Sequence, residues 1–362
     1  MNAVFITNKP SPYQVRFCEA LQTEMNMTFL FCMDLNSENH SYWKLNLPDT
    51  CKMLDKSKCL LIQKGRFYRY MNLDICSKLK AANPDIVMIG DFSHPTCYIA
   101  YRWCLANKVK VVFFREYARK EKPIKLYSKL YSKADALLVV GERAVNQYKK
   151  FFTKTPIYNF SYAADIEKKL AYDRKPNVDG NIKFLYASRY VEEHRPLLVL
   201  DAFAKLAQKY DCVELVMSSR GVLQNKCEEY ARELNCGEKI KFKNHLSSWD
   251  EVNNLFTESD VLVFPGFTTW GLVIPEAMAA KMAVIVCGEI GASELLPADS
   301  LVDPTIDNVF EKMENYVLNR KLLVEEGTRN RELSKSEQFS SKSKQLHDIF
   351  SKVLSYNFSE SQ

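Results

Sequence analysis

Short apolar runs alternate with amphipathic segments along most of this chain. In the first half, the pattern predicts strands at residues 3–7, 27–32, 86–89, 109–114 and 136–140. Between them it predicts helices at residues 13–24, 95–107, 124–134 and 142–151. Residues 36–72 are polar, with scattered aromatic side chains and no clear period. Alternation of this kind is typical of parallel sheets whose strands are joined by crossover helices.

The second half repeats the alternation after a stretch of weak periodicity at residues 156–180, which we interpret as an inter-domain connection. The expected strands are 182–188, 213–218, 239–242, 260–264 and 283–287, and the expected helices are 196–210, 223–234, 248–258, 306–319, 321–334 and 338–354. The chain is therefore predicted to be an α/β protein with two doubly wound, Rossmann-like domains, at residues 1–165 and 166–337. The helix at 338–354 is a candidate to pack back on the first domain.

Length and composition fit this picture. The chain has 362 residues, of which 47% are hydrophobic and 26% charged, as expected for about two globular domains. No apolar stretch approaches the ~20 residues that cross a bilayer, and the apolar part of the N-terminus is too short for a signal peptide. The eleven cysteines form no Cys-x-x-Cys pair, which favours buried thiols in a reducing compartment. We therefore expect a cytoplasmic protein without a metal site.

Charge is distributed unevenly along the chain. Residues 1–165 hold 25 Lys and Arg against 14 Asp and Glu, a net charge of +11, whereas residues 166–362 hold 25 against 30, a net charge of −5. Such a basic half indicates an anionic partner, which could be nucleic acid, anionic lipid or a pyrophosphate-bearing acceptor. No nucleic-acid-binding module is recognisable, so we expect no nucleic-acid partner.

The helix predicted at 124–134 places Lys125, Lys129 and Lys133 four residues apart, with Leu and Tyr side chains between them. A basic amphipathic helix of this kind predicts peripheral contact with an anionic membrane, at the inner face of the cell membrane. The alternative is a surface helix whose apolar side lies in the domain core.

The most informative chemistry follows the strand predicted at 260–264. That strand stops at Pro265-Gly266, a polar loop follows, and Gly271 opens an apolar helix that carries one carboxylate, Glu276. A strand, a tight turn and a helix N-terminus form a typical phosphate site, because backbone N–H groups point into the loop. Glu276 could accept hydrogen bonds from a ribose. The alternative is a buried βα unit in which Gly271 only makes the turn.

A second motif, Leu185-Tyr-Ala-Ser-Arg189-Tyr-Val-Glu-Glu-His194-Arg195-Pro196, again lies between a predicted strand and a predicted helix. The guanidinium of Arg189 at a strand end suits a bidentate contact with phosphate. The alternative is a charged loop that only faces solvent.

These two motifs resemble family 4 of the glycosyltransferases, retaining enzymes of the GT-B fold. Trp270-Gly271-Leu272-Val273 and Glu276 match its Glu, seven residues, Glu signature, but Thr268 stands where the first Glu is expected. In the family the second Glu holds the nucleotide ribose and the first holds the donor sugar. The resemblance therefore implies nucleotide binding more firmly than it implies a particular sugar.

The resemblance also assigns donor-side roles in the second motif. Arg189 matches the family arginine that binds the donor diphosphate, while His194 stands at the position of a lysine and Arg195 at that of a glycine. Either Arg195 or a protonated His194 could supply the missing cation. Downstream, Ile290-Gly291-Ala-Ser-Glu294 resembles the turn near the donor sugar. The match is strongest over residues 182–297.

The N-terminal half matches less sharply. Asn8-Lys-Pro-Ser-Pro-Tyr13-Gln-Val-Arg16 resembles the openings of polysaccharide-building members, which implies that Ser11, Tyr13 and Arg16 lie on the acceptor side. An ordinary loop in which Ser11 caps the helix is the alternative. His94 follows a predicted strand and could contact the acceptor or the transferred sugar, although lone histidines are more often structural.

Together these features imply two GT-B domains facing a central cleft. The implied reaction moves a sugar from a UDP- or GDP-linked donor to a hydroxyl of a glycan or lipid-linked glycan, in cell-surface polysaccharide or lipopolysaccharide assembly. Retention is expected, with no metal and no cofactor besides the nucleotide-sugar co-substrate, and with Arg189, Glu276 and His94 as catalytic residues. The alternative, motivated by Thr268 and His194, is a degenerate GT-B protein that binds nucleotide-sugars and acts as a scaffold.

Overall fold

The computed structural model describes residues 1–33, 46–64, 67–175, 179–244, 246 and 248–356. The chain divides into two compact units, Met1–Ala163 together with Phe339–Gln362, and Ala164–Gln338. Each unit is built around a parallel sheet of its own.

The first unit, in its described part, holds nine strands and five helices before residue 163. The strands are β1 (Asn2–Thr7), β2 (Asn26–Phe31), β3 (Cys51–Met53), β4 (Cys59–Lys64), β5 (Phe67–Asn72), β6 (Ile86–Ile89), β7 (Lys110–Arg115), β8 (Ala136–Val139) and β9 (Ile157–Asn159). The helices are α1 (Pro12–Leu21), α2 (Ile75–Ala82), α3 (Pro95–Ala106), α4 (Lys122–Leu130) and α5 (Glu142–Lys149).

Seven of these strands form a parallel sheet in the order β3-β2-β1-β6-β7-β8-β9, and β4 and β5 form an antiparallel hairpin. Every residue of β6 and β8 is buried, because helices cover both faces of the sheet. The strand order reverses between β1 and β6, so the loops after these two strands border the crevice where doubly wound sheets bind ligands.

The second unit, in its described part, holds strands β10 (Ile182–Tyr186), β11 (Val213–Met217), β12 (Ile240–Phe242), β13 (Val261–Phe264) and β14 (Ala283–Val286). Its helices are α6 (Glu167–Ala171), α7 (Pro196–Ala207), α8 (Gln224–Glu233), α9 (Trp249–Thr257), α10 (Val273–Ala279), α11 (Ile306–Leu318) and α12 (Lys321–Ser334). The sheet is parallel throughout, in the order β12-β11-β10-β13-β14. Here the strand order reverses between β10 and β13.

The last helix, α13 (Phe339–Ser355), belongs to the first unit. It packs on α1, where the rings of Phe17 and Phe339 stack with centroids 6.1 Å apart. Leu346 and Phe350 are fully buried. The last helix therefore contributes buried side chains to the core of the first unit.

The predicted parallel α/β architecture is confirmed, and the expected strands and helices of the second half differ from the observed ones only at their ends. The largest differences lie in the segments that the pattern left unorganised. Residues 36–45 lie outside the described part, whereas Cys51–Met53 form β3, and Cys59–Lys64 pairs with Phe67–Asn72 as the β4–β5 hairpin. Helix α2 was not predicted, and the connection expected at 156–180 contains β9 and α6.

In the described part of the chain, no helix is long and apolar enough to cross a membrane. The same residues contain no group of three or more His, Cys, Asp or Glu side chains that could hold a metal ion. The cysteines are free thiols, and eight of the eleven are buried.

Candidate donor-binding site

Three loops meet at the carboxyl edge of the sheet in the second unit, beside the point where its strand order reverses. They are the β10 loop (residues 187–195), the β13 loop (265–272) and the β14 loop (287–295). The backbone N–H of Phe267 donates to the carbonyl of Glu193 at 2.7 Å, and that of Gly291 donates to the carbonyl of Thr268 at 3.1 Å. Backbone hydrogen bonds therefore hold the three loops to one another.

Two glycines allow the loops to come this close. A Cβ on Gly266 would lie 2.6 Å from the Cα of His194, and a Cβ on Gly291 would lie 2.0 Å from the carbonyl oxygen of Thr269. Both distances are shorter than any real contact of a Cβ atom. Gly271 is required for a different reason, because its φ of +99° falls in a region that other residues avoid.

Arg189 lies in the β10 loop with its side chain exposed. The hydroxyl of Tyr186 donates to the Arg189 carbonyl at 2.9 Å and so fixes the backbone beneath the guanidinium. No ion pair is recorded for this guanidinium among the described residues. An anionic group from solvent can therefore reach it at the edge of the sheet.

His194 belongs to the same loop, and its side chain is buried. Its Nδ1 lies 2.8 Å from the hydroxyl oxygen of Ser188, and its ring meets that of Phe264 edge-on, with centroids 5.1 Å apart. Burial, reinforced by the positive charge of Arg189, lowers the pKa of His194 to about 4. The imidazole of the ligand-free chain is therefore neutral near pH 7, so that it supplies no resident cation at the position of the motif lysine.

Arg195 ties the three loops together. It occupies a left-handed conformation, with a φ of 52°, immediately before α7. Its guanidinium donates to the carbonyl of Pro265 and to the carboxylate of Glu289, each at 2.7 Å. The guanidinium of Arg195 is already paired with Glu289, so it holds the three loops together. The guanidinium of Arg189 is the more accessible of the two to a ligand.

Glu276 is the fourth residue of α10 and only 4% exposed. The sequence predicted a helix opening at Gly271, but α10 begins at Val273, so the carboxylate belongs to the first turn. The ammonium of Lys169 lies 3.7 Å from its Oε1 atom, and both side chains are buried. Sequence reasoning missed Lys169, since Glu167-Lys-Lys169 resembles an exposed polar run.

The remaining donor-side candidates take different environments. Trp270 is 2% exposed, and its indole N–H has no hydrogen-bond partner among the described residues. Leu272 packs against a small cluster that includes Ile166 and Ala279. Val273 is half-buried, and Glu294 is exposed in the short 3-10 turn that follows β14.

The acceptor-side candidates lie in the first unit. Ser11 caps α1, because its hydroxyl oxygen accepts the backbone N–H of Gln14 at 3.3 Å, as the structural alternative predicted. Tyr13 and Arg16 are half-buried on α1.

His94 is buried at the start of α3, after β6. Its ring stacks on Tyr70 with centroids 3.7 Å apart, and its Nε2 lies 3.9 Å from the carboxylate of Asp91, which in turn lies 3.4 Å from Arg115. Burial lowers the pKa of His94. His94 is thus one member of a polar cluster at the carboxyl edge of the first sheet.

Comparison with protein-family models gives a match within the second unit. Residues 168–332 match the family model of the glycosyl transferases group 1. The matched segment contains Arg189, His194, Arg195 and Glu276, and all of the first unit before residue 164 lies outside it.

Solved structures extend the likeness in fold to nearly the whole chain. HepE from Anabaena in complex with UDP matches with a TM-score of 0.71 at 12% identity, covering 97% of this chain and 100% of that one. A glycosyltransferase from Rickettsia africae gives 0.72 at 14%, covering 98% and 99%. WaaB, a lipopolysaccharide outer core galactosyltransferase, gives 0.67 at 16%, covering 97% and 100%. The expected GT-B fold is therefore confirmed.

No curated protein sequence matches the chain. The family match nevertheless supports the class of enzyme, a glycosyltransferase, as the two sequence motifs implied.

Proposed function

We propose that this glycosyltransferase moves a sugar from a UDP- or GDP-linked donor to a hydroxyl of a glycan or lipid-linked glycan, with retention of configuration and without a metal. The observation that carries the proposal is the exposed guanidinium of Arg189, set on a hydrogen-bonded frame of three loops at the switch point of the second sheet. HepE has been solved with UDP-glucose as well as with UDP, which supports a nucleotide-sugar donor.

The proposed chemistry is electrostatic. As the bond between the anomeric carbon and the donor phosphate oxygen breaks, negative charge grows on the leaving diphosphate, and Arg189 stabilises it. The acceptor hydroxyl oxygen bonds to the anomeric carbon on the same face, and its proton passes to the departing phosphate oxygen. Glu276 accepts hydrogen bonds from the ribose and so holds the nucleotide during transfer.

The acceptor side of the proposal rests on the first unit. His94 and its polar cluster at the edge of the first sheet are candidates for contact with the acceptor. Helix α4 exposes Lys125 and Lys129 beside Leu126, which is 63% exposed, and Leu130, which is 41% exposed. A basic face with exposed leucines suits peripheral contact with an anionic membrane that carries a lipid-linked acceptor. WaaB, a lipopolysaccharide enzyme of the same fold, supports a role in cell-surface glycan assembly.

Thermal unfolding in the presence of UDP, GDP, ADP or CMP tests the donor site. A ligand at 100 times its dissociation constant adds ~2.7 kcal/mol of stability, so one nucleotide should raise the melting temperature clearly. The variant R189A should lose this shift and keep the melting temperature of the ligand-free protein, because the guanidinium is exposed. Absence of a shift with every nucleotide would contradict the proposal.

The second candidate function is a non-catalytic scaffold that binds nucleotide-sugars. Two features favour it: Thr268 stands at the position of the first motif Glu, and the neutral His194 supplies no charge for the diphosphate. Release of UDP or GDP from a sugar nucleotide, measured with and without glycan acceptors, separates the two functions. An enzyme releases nucleotide, whereas a scaffold binds it without turnover.

A further inference from the structure

A buried ion pair joins Lys169 to Glu276, one of the proposed donor-binding residues of the second unit. The side chains of Lys169 and Glu276 are 1% and 5% exposed, and Nζ lies 3.7 Å from Oε1. That separation is within ion-pair range but too long for a hydrogen bond. Lys169 instead donates to the amide oxygen of Asn253 at 2.7 Å and to the carbonyl of Asp165 at 3.4 Å.

Lys169 is anchored by three helices. It belongs to α6, and its ammonium lies 4.9 Å from the ring centroid of Phe256 on α9. Leu170 of α6 packs in the same small cluster as Ala279 of α10. Its position is therefore fixed independently of Glu276. A buried carboxylate needs a counter-charge, since an uncompensated charge in the interior is strongly destabilising.

We infer that Lys169 is a positioning residue for the donor. It holds the carboxylate of Glu276 in place and compensates its charge, while its own hydrogen bonds go to Asn253 and Asp165. Glu276 thereby presents a fixed, charged acceptor to the ribose hydroxyls of the nucleotide. The inference rests on the proposed function, because it assigns the ribose to Glu276.

The role can be measured as a coupling between one protein side chain and one ligand hydroxyl. Calorimetric titration compares wild type and K169M with UDP, 2′-deoxy-UDP and 3′-deoxy-UDP, or with the GDP series if GDP is the nucleotide that binds. Wild type should prefer the full ribose over at least one deoxy analogue by about tenfold or more, as expected for a hydrogen bond to a charged group. K169M should bind UDP about tenfold more weakly and the deoxy analogue almost unchanged.

Lys168 provides the matched control. It is the neighbouring residue on α6, but its side chain is 63% exposed and pairs with an exposed Asp250. K168M should therefore retain the wild-type ratio between UDP and its deoxy analogues.

The other outcomes overturn the inference. A K169M variant that keeps the wild-type ratio, or loses affinity equally for all three ligands, shows a structural role only. Wild type that binds UDP without ribose preference shows that Glu276 does not hold the ribose. Wild type that binds none of the nucleotides refutes the proposed function itself, and the inference with it.

A crystal structure of the wild-type complex with UDP decides the question even if K169M fails to fold. We expect a ribose oxygen within about 3 Å of the Glu276 carboxylate, with the Lys169 ammonium still at ion-pair distance. A ribose placed away from Glu276, or a displaced Lys169, would contradict the inference.

Discussion

At the scale of single residues, the buried imidazole of His194 should make stability depend on pH. Its pKa is about 4 in the folded chain, below the ~6.5 of an unfolded histidine, so the unfolded state binds the proton more tightly. The contribution of the neutral His194 to the free energy of unfolding is fully present above about pH 6.5 and is lost as the pH falls toward 4. Between pH 7 and pH 5, the free energy of unfolding should fall by about 2 kcal/mol more in wild type than in H194Q.

Urea unfolding at the two pH values measures this difference. H347Q is the control, because it removes a histidine from α13 in the other unit, where the side chain is 37% exposed. Parallel pH profiles for wild type and H194Q would show that the imidazole is not held neutral by the fold.

Local motifs predicted some of the proposed site residues, whereas others depend on tertiary contacts. Arg189 and Glu276 could be found from sequence because a strand end and a helix start place them. The neutrality of His194 could not, since it comes from burial of the imidazole in the folded chain and from the positive charge of Arg189. Lys169 carries no local signal at all, because its burial depends on a carboxylate that lies more than a hundred residues away.

At the scale of elements, the helices and strands with a clear local pattern were predicted, and those without one were missed. Helices such as α12, at Lys321–Ser334, span several turns, so their apolar period is visible, and the predicted bounds are confirmed. Helix α6 has five residues, too few to show a period. The β4–β5 hairpin escaped prediction because Leu60 and Leu61 are both exposed, which obscures the usual alternation.

At this scale we predict that helix α4 binds anionic membranes. Wild type should bind vesicles that contain anionic phosphatidylglycerol, bind neutral phosphatidylcholine vesicles weakly, and lose binding as salt is added. Each lysine near an anionic surface contributes ~1 kcal/mol, so K125E/K129E should weaken binding by about thirtyfold or more. Co-sedimentation with vesicles measures the effect.

The matched control reverses two other exposed lysines of the first unit. K344E/K352E changes the net charge equally but places the change on α13. If this control loses vesicle binding as strongly as K125E/K129E, the attraction belongs to the overall charge and α4 is not the contact surface.

At the scale of the whole molecule, two units with separate cores should unfold in two calorimetric transitions. One substitution can mark each transition. Arg174 is buried in the second unit, where it pairs with Asp260 and donates to the carbonyls of Thr257 and Lys281, both at 3.1 Å. R174M removes the guanidinium from the buried Asp260 carboxylate, which still accepts the backbone N–H of Lys183. The substitution should lower the transition of the second unit by ~3–5 kcal/mol.

The first unit is marked by its C-terminal helix. Phe350 on α13 is fully buried, and F350A should lower the transition of the first unit by ~3–5 kcal/mol through the cavity that it leaves. If R174M and F350A both lower one common transition, the two units unfold together and the markers cannot be separated.

Once each calorimetric transition is assigned to a unit, the shift that a bound nucleotide causes shows which unit binds it. The residues proposed to hold the donor all lie in the second unit, so the nucleotide that binds should stabilise the transition marked by R174M by ~2.7 kcal/mol at 100 times its dissociation constant. The transition marked by F350A should move little, because none of the donor-side residues lies in that unit. Stabilisation confined to the F350A transition would place the nucleotide in the first unit and contradict the assignment of Arg189 and Glu276.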